Sequence, residues 1–295
     1  MKKTFLILCA ILIGVFALLS VISIKGEYNA EKKIWTLNRK FADIVTSKES
    51  NPPQAFDNLA NGYREFMVDF PNSRLNKEAQ LRIARVYMMK PDYVIARQEF
   101  EKIFEMFPED EALTSQARSL IGKSYELSGE WPKALQLYRE IQKERPFSNT
   151  GLSVPLYIAQ YHQAKEEKEE AERAFAQAIA YYNRLISEHP NSEIELKALR
   201  LLSVCYLTQQ KWMDAINVME KMLLKYPAPR MANQAIVAIN NIAIRQLKNY
   251  DVPINIYNNF IEKNPEHPLN DGIRRMITAF EKLKNENVII NLSDE

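Results

Sequence analysis

Residues 83–108 read IARVYMMKPDYVIARQEFEKIFEMFP and decide the fold. The stretch predicts an apolar helix that breaks at Pro91, followed by a second helix with Ala96 and Phe100 on one face. Pro108 ends the second helix, because proline lacks the backbone N–H that a helix interior needs. Taken alone, the stretch predicts one helical hairpin.

The same hairpin pattern recurs along the chain. A small or apolar residue is followed four positions later by an aromatic residue or Met, and eight positions after that by a proline. The six occurrences are Leu59/Tyr63/Pro71, Ala96/Phe100/Pro108, Ala134/Tyr138/Pro146, Ala178/Tyr182/Pro190, Ala215/Met219/Pro227 and Pro253/Tyr257/Pro265. The prolines are 37, 38, 44, 37 and 38 residues apart, a period that is typical of helical repeat arrays. The sequence therefore predicts an all-α solenoid of about five to six hairpins over residues 51–266.

Composition agrees with this fold and excludes several function classes. The chain of 295 residues is 46% hydrophobic and contains only 7 glycines, too few for the turns of a sheet protein. A formal net charge of +2 provides no overall field that would attract nucleic acid. Cys9 and Cys205 are the two cysteines. We expect no disulfide, and we interpret Cys205 as a buried core residue.

The N-terminal segment predicts export. Two lysines precede residues 5–24, which carry no charge and as a helix would be roughly 30 Å long, enough to cross a bilayer. The length favours a retained transmembrane anchor. The alternative is a cleaved signal peptide, since Val21, Ile22 and Ser23 include the small or branched side chains that signal peptidase accepts. Residues 1–25 are therefore assigned to a signal peptide or membrane anchor.

Two flanking segments and one irregular hairpin complete the predicted organisation. Residues 26–50 are interpreted as an amphipathic helix that connects the anchor to the repeats. Residues 267–295 are interpreted as a helix and tail that cap the array. A charged run at residues 165–173 lengthens the second helix of its hairpin by about two turns. We interpret this run as a solvated helix face, and the alternative is a projecting edge that docks a partner.

The spacing of further residues resembles the tetratricopeptide repeat. A tyrosine stands nine residues before each of Ala96, Ala134 and Ala215. Three residues before each tyrosine is a small residue, and a large apolar residue comes immediately before that one. The three sets are Ile83/Ala84/Tyr87, Ile121/Gly122/Tyr125 and Leu202/Ser203/Tyr206. The resemblance implies a right-handed superhelix of paired helices. Two hairpins depart from it: no tyrosine stands at this offset from Ala178, and the last hairpin has Ile244 and Pro253 in the Tyr and Ala positions.

Two hinge segments carry a narrower resemblance. They are YREFMVDFPNS at residues 63–73 and YNRLISEHPNS at residues 182–192. These look like the hinges of exported bacterial repeat proteins, namely the lipoprotein subunit of the outer-membrane β-barrel assembly machine and the periplasmic coordinator of the Tol-Pal system. The similarity implies a scaffold of the bacterial cell envelope. We expect a periplasmic domain anchored in the inner membrane through residues 5–24, or a periplasmic or secreted protein if the leader is cleaved.

The sequence nominates no catalytic, cofactor or metal site. His162, His189 and His267 are scattered, and none has a metal-ligand partner three or four residues away. A glycine-rich phosphate loop is also missing. We therefore predict a protein that is not an enzyme and that needs no cofactor.

The family resemblance implies that partners bind in a concave groove lined by the first helix of each hairpin. Carried onto this sequence, the groove positions are Arg82, Arg85, Gln116, Lys123, Lys197, Arg200, Arg245 and Gln246. Their basic surplus predicts a ligand with carboxylates, such as an acidic peptide segment or a free C-terminus. The alternative is that these cations pair with acids of neighbouring helices, such as Glu78 and Glu126.

The sequence thus favours an envelope scaffold or adaptor that binds another envelope protein, or an acidic segment of one, and no nucleic acid. Two other functions remain open. One is an assembly or maturation factor for an exported enzyme complex. The other is an envelope hydrolase, for which the sequence offers no residues.

Overall fold

The computed structural model describes residues 26–47 and 51–293. In these residues the chain forms thirteen α-helices and one short π-helix and contains no strand, which confirms the all-α prediction. The helices divide into two compact units, Met1–Arg145 and Pro146–Glu295. The superhelical hand that the resemblance implied stays a prediction.

The first unit contains three helical hairpins. Their helices are α1 (Glu27–Thr46), α2 (Pro53–Asp69), α3 (Asn76–Met89), α4 (Tyr93–Met106), α5 (Glu111–Leu127) and α6 (Trp131–Glu144). One continuous apolar core runs through them. Small residues bring the helices close together, as at Gly122, where an added Cβ would lie 2.5 Å from the ring of Tyr138.

The second unit also contains three hairpins and ends in a further helix. Its helices are α7 (Asn149–Ala164), α8 (Lys168–Glu188), α9 (Glu193–Thr208), α10 (Trp212–Lys225), α11 (Pro229–Asn240), the π-helix (Asn241–Gln246), α12 (Asp251–Lys263) and α13 (Asn270–Ser293). Helix α13 buries Ile273 and Ile277 against the preceding hairpin. These residues cover the last core, as a capping helix must.

Helix α1 does more than connect the leader to the repeats. It buries Ala30, Ile34 and Leu37 and packs against α2 as the first helix of a hairpin. The contact is close, because a Cβ on Gly62 would lie 2.7 Å from Leu37. Helix α1 is therefore the first helix of the hairpin whose second helix carries Leu59 and Tyr63, and not only the connecting helix that the sequence predicted.

Tyrosine hydroxyls hold several hairpins closed. The buried Tyr182 donates from Oη to the carbonyl oxygen of Leu152, 2.8 Å away, one turn before Pro155 in the interior of α7. Tyr257 similarly donates to the carbonyl oxygen of Ile236 at 3.0 Å. These residues fill the space between two helices, and their hydroxyls also hydrogen-bond to backbone carbonyl groups of the facing helix.

Buried amides close two of the inter-hairpin hinges. Asn76 donates from Nδ2 to the carbonyl oxygens of Phe70 and Pro71, at 3.0 and 2.9 Å. Asn270 makes the same two bonds to the residues before α13. Both asparagines end a Pro-x-x-x-Leu-Asn sequence, a signal that the sequence analysis missed.

The lengthened hairpin has its extra residues inside α8. This helix has 21 residues, whereas α4, α6 and α10 each have 14, so the predicted extension of two turns is present. Counted from the turn, Ala171 and Phe175 occupy the positions of Ala96 and Phe100. Counted from Ala171 in this way, the residue nine positions earlier is His162. It stands where three other hairpins have a tyrosine.

The predicted leader, residues 1–25, lies outside the residues that the structure describes. Among the described residues, we find no helix that is both long enough and apolar enough to cross a membrane.

Candidate functional site

Helix α3 places two of the predicted groove cations, Arg82 and Arg85, one turn apart. Both side chains are half-buried. The guanidinium of Arg82 lies over the ring of Phe41 from α1, 4.6 Å from its centroid, and Nη2 is 3.4 Å from a carboxylate oxygen of Glu78. We call Arg82, Arg85 and Phe41 the α3 basic face.

Arg85 is the least compensated charge of the α3 basic face. Burial lowers the pKa of its guanidinium, and the positive charge of Arg82 lowers it further. Within the described part of the chain, no carboxylate is found to offset these two effects. A half-buried cation of this kind is stabilised by any anion that reaches it, because the anion replaces lost hydration with charge-assisted hydrogen bonds. Arg85 is thus well placed to hold an external carboxylate.

Helix α1 organises the surroundings of Arg82. Asn38 donates from Nδ2 to Glu78, 2.9 Å away, and accepts at Oδ1 a hydrogen bond of 2.8 Å from the hydroxyl of the buried Tyr63. Glu78 is therefore shared between Asn38 and Arg82. Because Glu78 already has these two partners, it is held in place and only partly neutralises the two arginines.

The other two predicted residues of the first unit lie on α5. Gln116 is exposed. Lys123 is half-buried and forms an ion pair with Glu126 on the same helix. Glu126 is one of the acids that the sequence analysis named as an alternative partner, but the pair forms within one helix and not across helices. The pair reduces the positive charge that Lys123 offers to a ligand.

In the second unit the predicted residues fall into two groups. On α9, Lys197 pairs with Glu193 at 2.9 Å, while Arg200 is exposed. Arg245 and Gln246 are exposed at the end of the π-helix. Whether any of the eight residues contacts a partner stays a prediction.

Sequence reasoning missed two buried carboxylates. Glu99 on α4 is 3% exposed and contacts Arg64 at 2.6 Å, Lys102 at 3.1 Å and Gln80 at 2.9 Å. Burial raises the pKa of the Glu99 carboxyl, but the hydrogen bonds from Gln80, Arg64 and Lys102 outweigh this effect and hold it below its usual value. The cluster joins α2, α3 and α4 and leaves no ligand position open, so we interpret it as structural.

The second carboxylate, Glu195 on α9, is 1% exposed. It accepts two hydrogen bonds from Lys225, at 2.7 and 2.8 Å, one from the Tyr226 hydroxyl at 2.9 Å and one from the backbone N–H of Asn191 at 2.6 Å. Ser192 accepts from the backbone N–H of Glu195 at 3.1 Å. A serine followed three residues later by glutamate is the sequence signal of such a helix start.

A groove of about 1220 Å³ lies on the lengthened helix α8. Phe175 and Ile179 of α8 and Tyr206 of α9 line it, and Glu166 and Lys168 stand at its rim. The charged run of residues 165–173 therefore includes residues beside an open groove. None of the eight predicted groove residues lines it.

Two kinds of reactive group are relevant to catalysis in the described residues, metal-ligating clusters and cysteine thiols. Among them, no group of three or more His, Cys, Asp or Glu side chains could hold a metal ion. Cys205 is fully buried, and burial raises the pKa of its thiol to about 12. This placement agrees with the interpretation of Cys205 as a core residue.

A model of the tetratricopeptide repeat matches residues 116–148 and 156–192. The match supports the tetratricopeptide-repeat family. The first segment spans part of α5 and all of α6, and the second spans part of α7 and all of α8, including its two extra turns. Tetratricopeptide repeats are protein-interaction modules, so the family indicates an interaction scaffold. The narrower resemblance to the exported bacterial proteins is not tested by this match.

Similar solved structures include BtubC from P. vanneervenii, at 16% identity over 78% of this chain and 91% of that chain, with a TM-score of 0.37. Another is the TPR2AB domain of yeast Sti1 in a complex with pHSP90, at 14% identity over 87% and 100%, with a TM-score of 0.35. A third is a tetratricopeptide repeat protein from Parabacteroides merdae, at 14% identity over 85% and 99%, with a TM-score of 0.32. No curated protein matches the chain. With TM-scores below 0.5, these similarities assign no partner.

Proposed function

We propose that the protein is a scaffold of the bacterial cell envelope that binds an acidic segment of another envelope protein at the α3 basic face. The family supports the general role of a protein-interaction module. The choice of an acidic ligand rests on the geometry of two arginines on one helix.

The observation that carries the proposal is the arrangement of Arg82 and Arg85. Two guanidinium groups stand one turn apart, and both are half-buried. Glu78 contacts one of them, whereas Arg85 is left next to a like charge. A carboxylate is the expected ligand, because a guanidinium offers it two parallel N–H donors.

Phe41 adds an apolar component to the same surface. Its ring is partly exposed and already packs against Arg82. An acidic segment with an apolar residue next to a carboxylate could therefore use both parts of the face. Arginine clusters that recognise acidic motifs and apolar surfaces that take apolar side chains are both established modes of peptide recognition.

In this proposal residues 5–24 anchor the chain in the inner membrane and the repeats lie in the periplasm. Mass spectrometry of the mature N-terminus tests the anchor. A terminus that includes residues 5–24 supports it. A terminus at Ile24 or later contradicts it and leaves the protein periplasmic or secreted.

The binding proposal is tested with synthetic peptides that contain Asp and Glu, compared with the same peptides carrying Asn and Gln. Fluorescence anisotropy at low salt should show tighter binding of the acidic peptides. Arg85→Ala should weaken that binding by about tenfold, the equivalent of one charge-assisted hydrogen bond of roughly 1.5 kcal/mol. A photo-crosslinker at Met89 on the same helix would then recover the natural partner from membranes.

Arg139→Ala is the matched control. Arg139 is an exposed arginine on α6 in the same unit, so the variant changes the net charge equally but lies on another helix. Equal affinity of the wild type and Arg85→Ala at low salt would remove the α3 basic face as a binding site. An equal loss of affinity in Arg85→Ala and Arg139→Ala would show that the effect comes from net charge and not from the α3 basic face.

A further inference from the structure

Helix α1 exposes two large aromatic side chains to solvent. Tyr28 is 76% exposed and Trp35 is 62% exposed, unusually high values for residues of this size. They are seven residues apart, which places them two turns apart on one face of the helix. Lys32 and Arg39 lie on that same face, and both are exposed. We call these four residues the α1 outer face.

The α1 outer face is opposite the side that packs against the protein. Ala30, Ile34 and Leu37 are buried against α2 and the core of the first unit. Packing within the unit therefore explains one side of the helix and leaves the other without a partner in the described part of the chain. A helix with an apolar face that is already buried has no need of exposed Trp and Tyr for folding.

The charges around the α1 outer face are mostly positive. Glu27 and Glu31, the acids of its first turns, both pair with Arg74, at 3.2 and 3.1 Å. Lys32 and Arg39 have no acidic partner that we find among the described residues, and the guanidinium of Arg39 lies 5.9 Å from the ring centroid of Trp35. Aromatic and basic side chains therefore stand side by side on this face, while Glu27 and Glu31 share Arg74 and the exposed Asp43 lies one turn beyond Arg39.

The position of α1 in the chain indicates what this face meets. Helix α1 begins at Glu27, three residues after the uncharged segment of residues 5–24. If that segment spans the membrane, the start of α1 lies at the level of the lipid headgroups. Trp and Tyr are enriched at that level, and Lys and Arg there attract anionic headgroups.

We infer that the α1 outer face lies on the surface of a bilayer that contains anionic lipid, with Tyr28 and Trp35 in the interface and Lys32 and Arg39 against the headgroups. The inference rests on the proposed membrane anchor and extends it. The anchor fixes only the distance of the repeats from the membrane. Contact through α1 would also fix their orientation.

The test uses the full chain in vesicles of phosphatidylcholine with phosphatidylglycerol, some of whose acyl chains carry bromine. Bromine quenches tryptophan only on contact, so it reports burial in the bilayer. In a variant with Trp131→Phe and Trp212→Phe, Trp35 should be quenched and its emission shifted to shorter wavelength. Lys32→Glu with Arg39→Glu should lose most of the quenching.

Two further variants keep the result interpretable. Trp35→Phe in the otherwise unchanged protein should remove the bromine-sensitive part of the fluorescence, and it needs only one exposed substitution. Arg139→Glu with Lys143→Glu changes the net charge by the same amount at two exposed positions on α6. This control should retain full quenching of Trp35.

Flotation of the same vesicles separates this inference from the anchor. Protein that floats at high salt without quenching of Trp35 retains the anchor and refutes the α1 contact. Protein that neither floats nor shows quenching refutes both. Quenching with flotation that is lost at high salt supports the α1 contact and refutes the anchor.

A second copy of the chain is the competing occupant of the α1 outer face. If Trp35→Ala changes the sedimentation coefficient without lipid, a second copy is indicated and the inference is overturned.

Discussion

Helices α3 and α9 occupy the same place in two different hairpins, yet their charges are held differently. Each follows a Pro-Asn-Ser hinge, and each carries two cations three residues apart, Arg82 with Arg85 and Lys197 with Arg200. On α9, Lys197 is paired within its own helix and Arg200 is exposed. On α3, both arginines are half-buried, and Phe41 of α1 packs against one of them.

The comparison teaches that a place on the first helix of a hairpin does not define the electrostatic state of a cation. Such a cation is solvated in one hairpin and desolvated in the other, because neighbouring helices decide how much water reaches it. The two hinges also differ in the charge of the side chain that closes them. A neutral amide, Asn76, closes the start of α3, and a carboxylate, Glu195, closes the start of α9.

The largest effect is expected from breaking the α9 hinge. Glu195→Ala removes the acceptor of four hydrogen bonds and leaves Lys225 and Tyr226 without their partner. We expect the free energy of unfolding of the second unit to fall by about 3 kcal/mol, as for other buried ion pairs that lose one member. Urea unfolding measures this free energy. Trp212 fluorescence reports on the second unit when Trp35→Phe and Trp131→Phe remove the other two tryptophans. Glu193→Ala, at an exposed position on the same helix, should leave the midpoint unchanged; an equal shift in both variants would refute a special role of Glu195.

The corresponding change on α3 should be smaller. Asn76→Ala removes two hydrogen bonds to the carbonyl oxygens of Phe70 and Pro71 and should lower the unfolding free energy of the first unit by about 2 kcal/mol. Trp131 fluorescence, with Trp35→Phe and Trp212→Phe, reports on this unit. Asn72→Ala in the exposed part of the same hinge is the control. If it destabilises the unit as much as Asn76→Ala, the buried amide is not what closes the hinge.

The two hinges should also differ in acid. Burial raises the pKa of the Glu195 carboxyl, but the hydrogen bonds from Lys225, Asn191 and Tyr226 outweigh this and lower it below the usual 4.5. The folded second unit therefore releases this proton more readily than the unfolded chain does. Its stability should decrease as the pH falls from about 4.5 through the lowered pKa.

Glu195→Gln should flatten this part of the pH dependence, since the amide does not titrate. Unfolding midpoints recorded with the Trp212 probe at a series of acidic pH values would show it. A slope that is unchanged in Glu195→Gln would assign the acid sensitivity of the unit to other carboxylates.

The smallest effect concerns the arginines themselves. Arg85→Met removes a desolvated charge next to Arg82 but keeps the apolar stem, so it should raise the stability of the first unit by about 0.5 kcal/mol. Arg200→Met on α9 should have no such effect, because that side chain is solvated. Thermal unfolding of both variants measures the difference. A loss of stability in Arg85→Met would mean that the guanidinium has a stabilising partner in the folded protein.

Sequence pattern predicted the helical hairpins but not the buried polar contacts between their helices. The spacing of alanine, aromatic residue and proline located the helices of both units, because burial imposes that period on any stacked hairpin. It identified the amphipathic helix α1 but not its role as the first helix of a hairpin, since the pattern of alanine, aromatic residue and proline marks only second helices. Glu99 and Glu195 read as ordinary helix acids, and only their neighbours from other helices show that they are buried.

The chain's sequence by itself determined the all-helical fold, the repeat period and the two extra turns of α8. These follow from local rules of helix formation and from the regular placement of small and aromatic residues. Only the tertiary structure decided which charges are desolvated, because the hydration of a side chain depends on residues far away in the sequence. Arg85 and Arg200 both lie on the first helix of a hairpin, and the packing around each sets them apart, since Arg85 is half-buried and Arg200 is exposed.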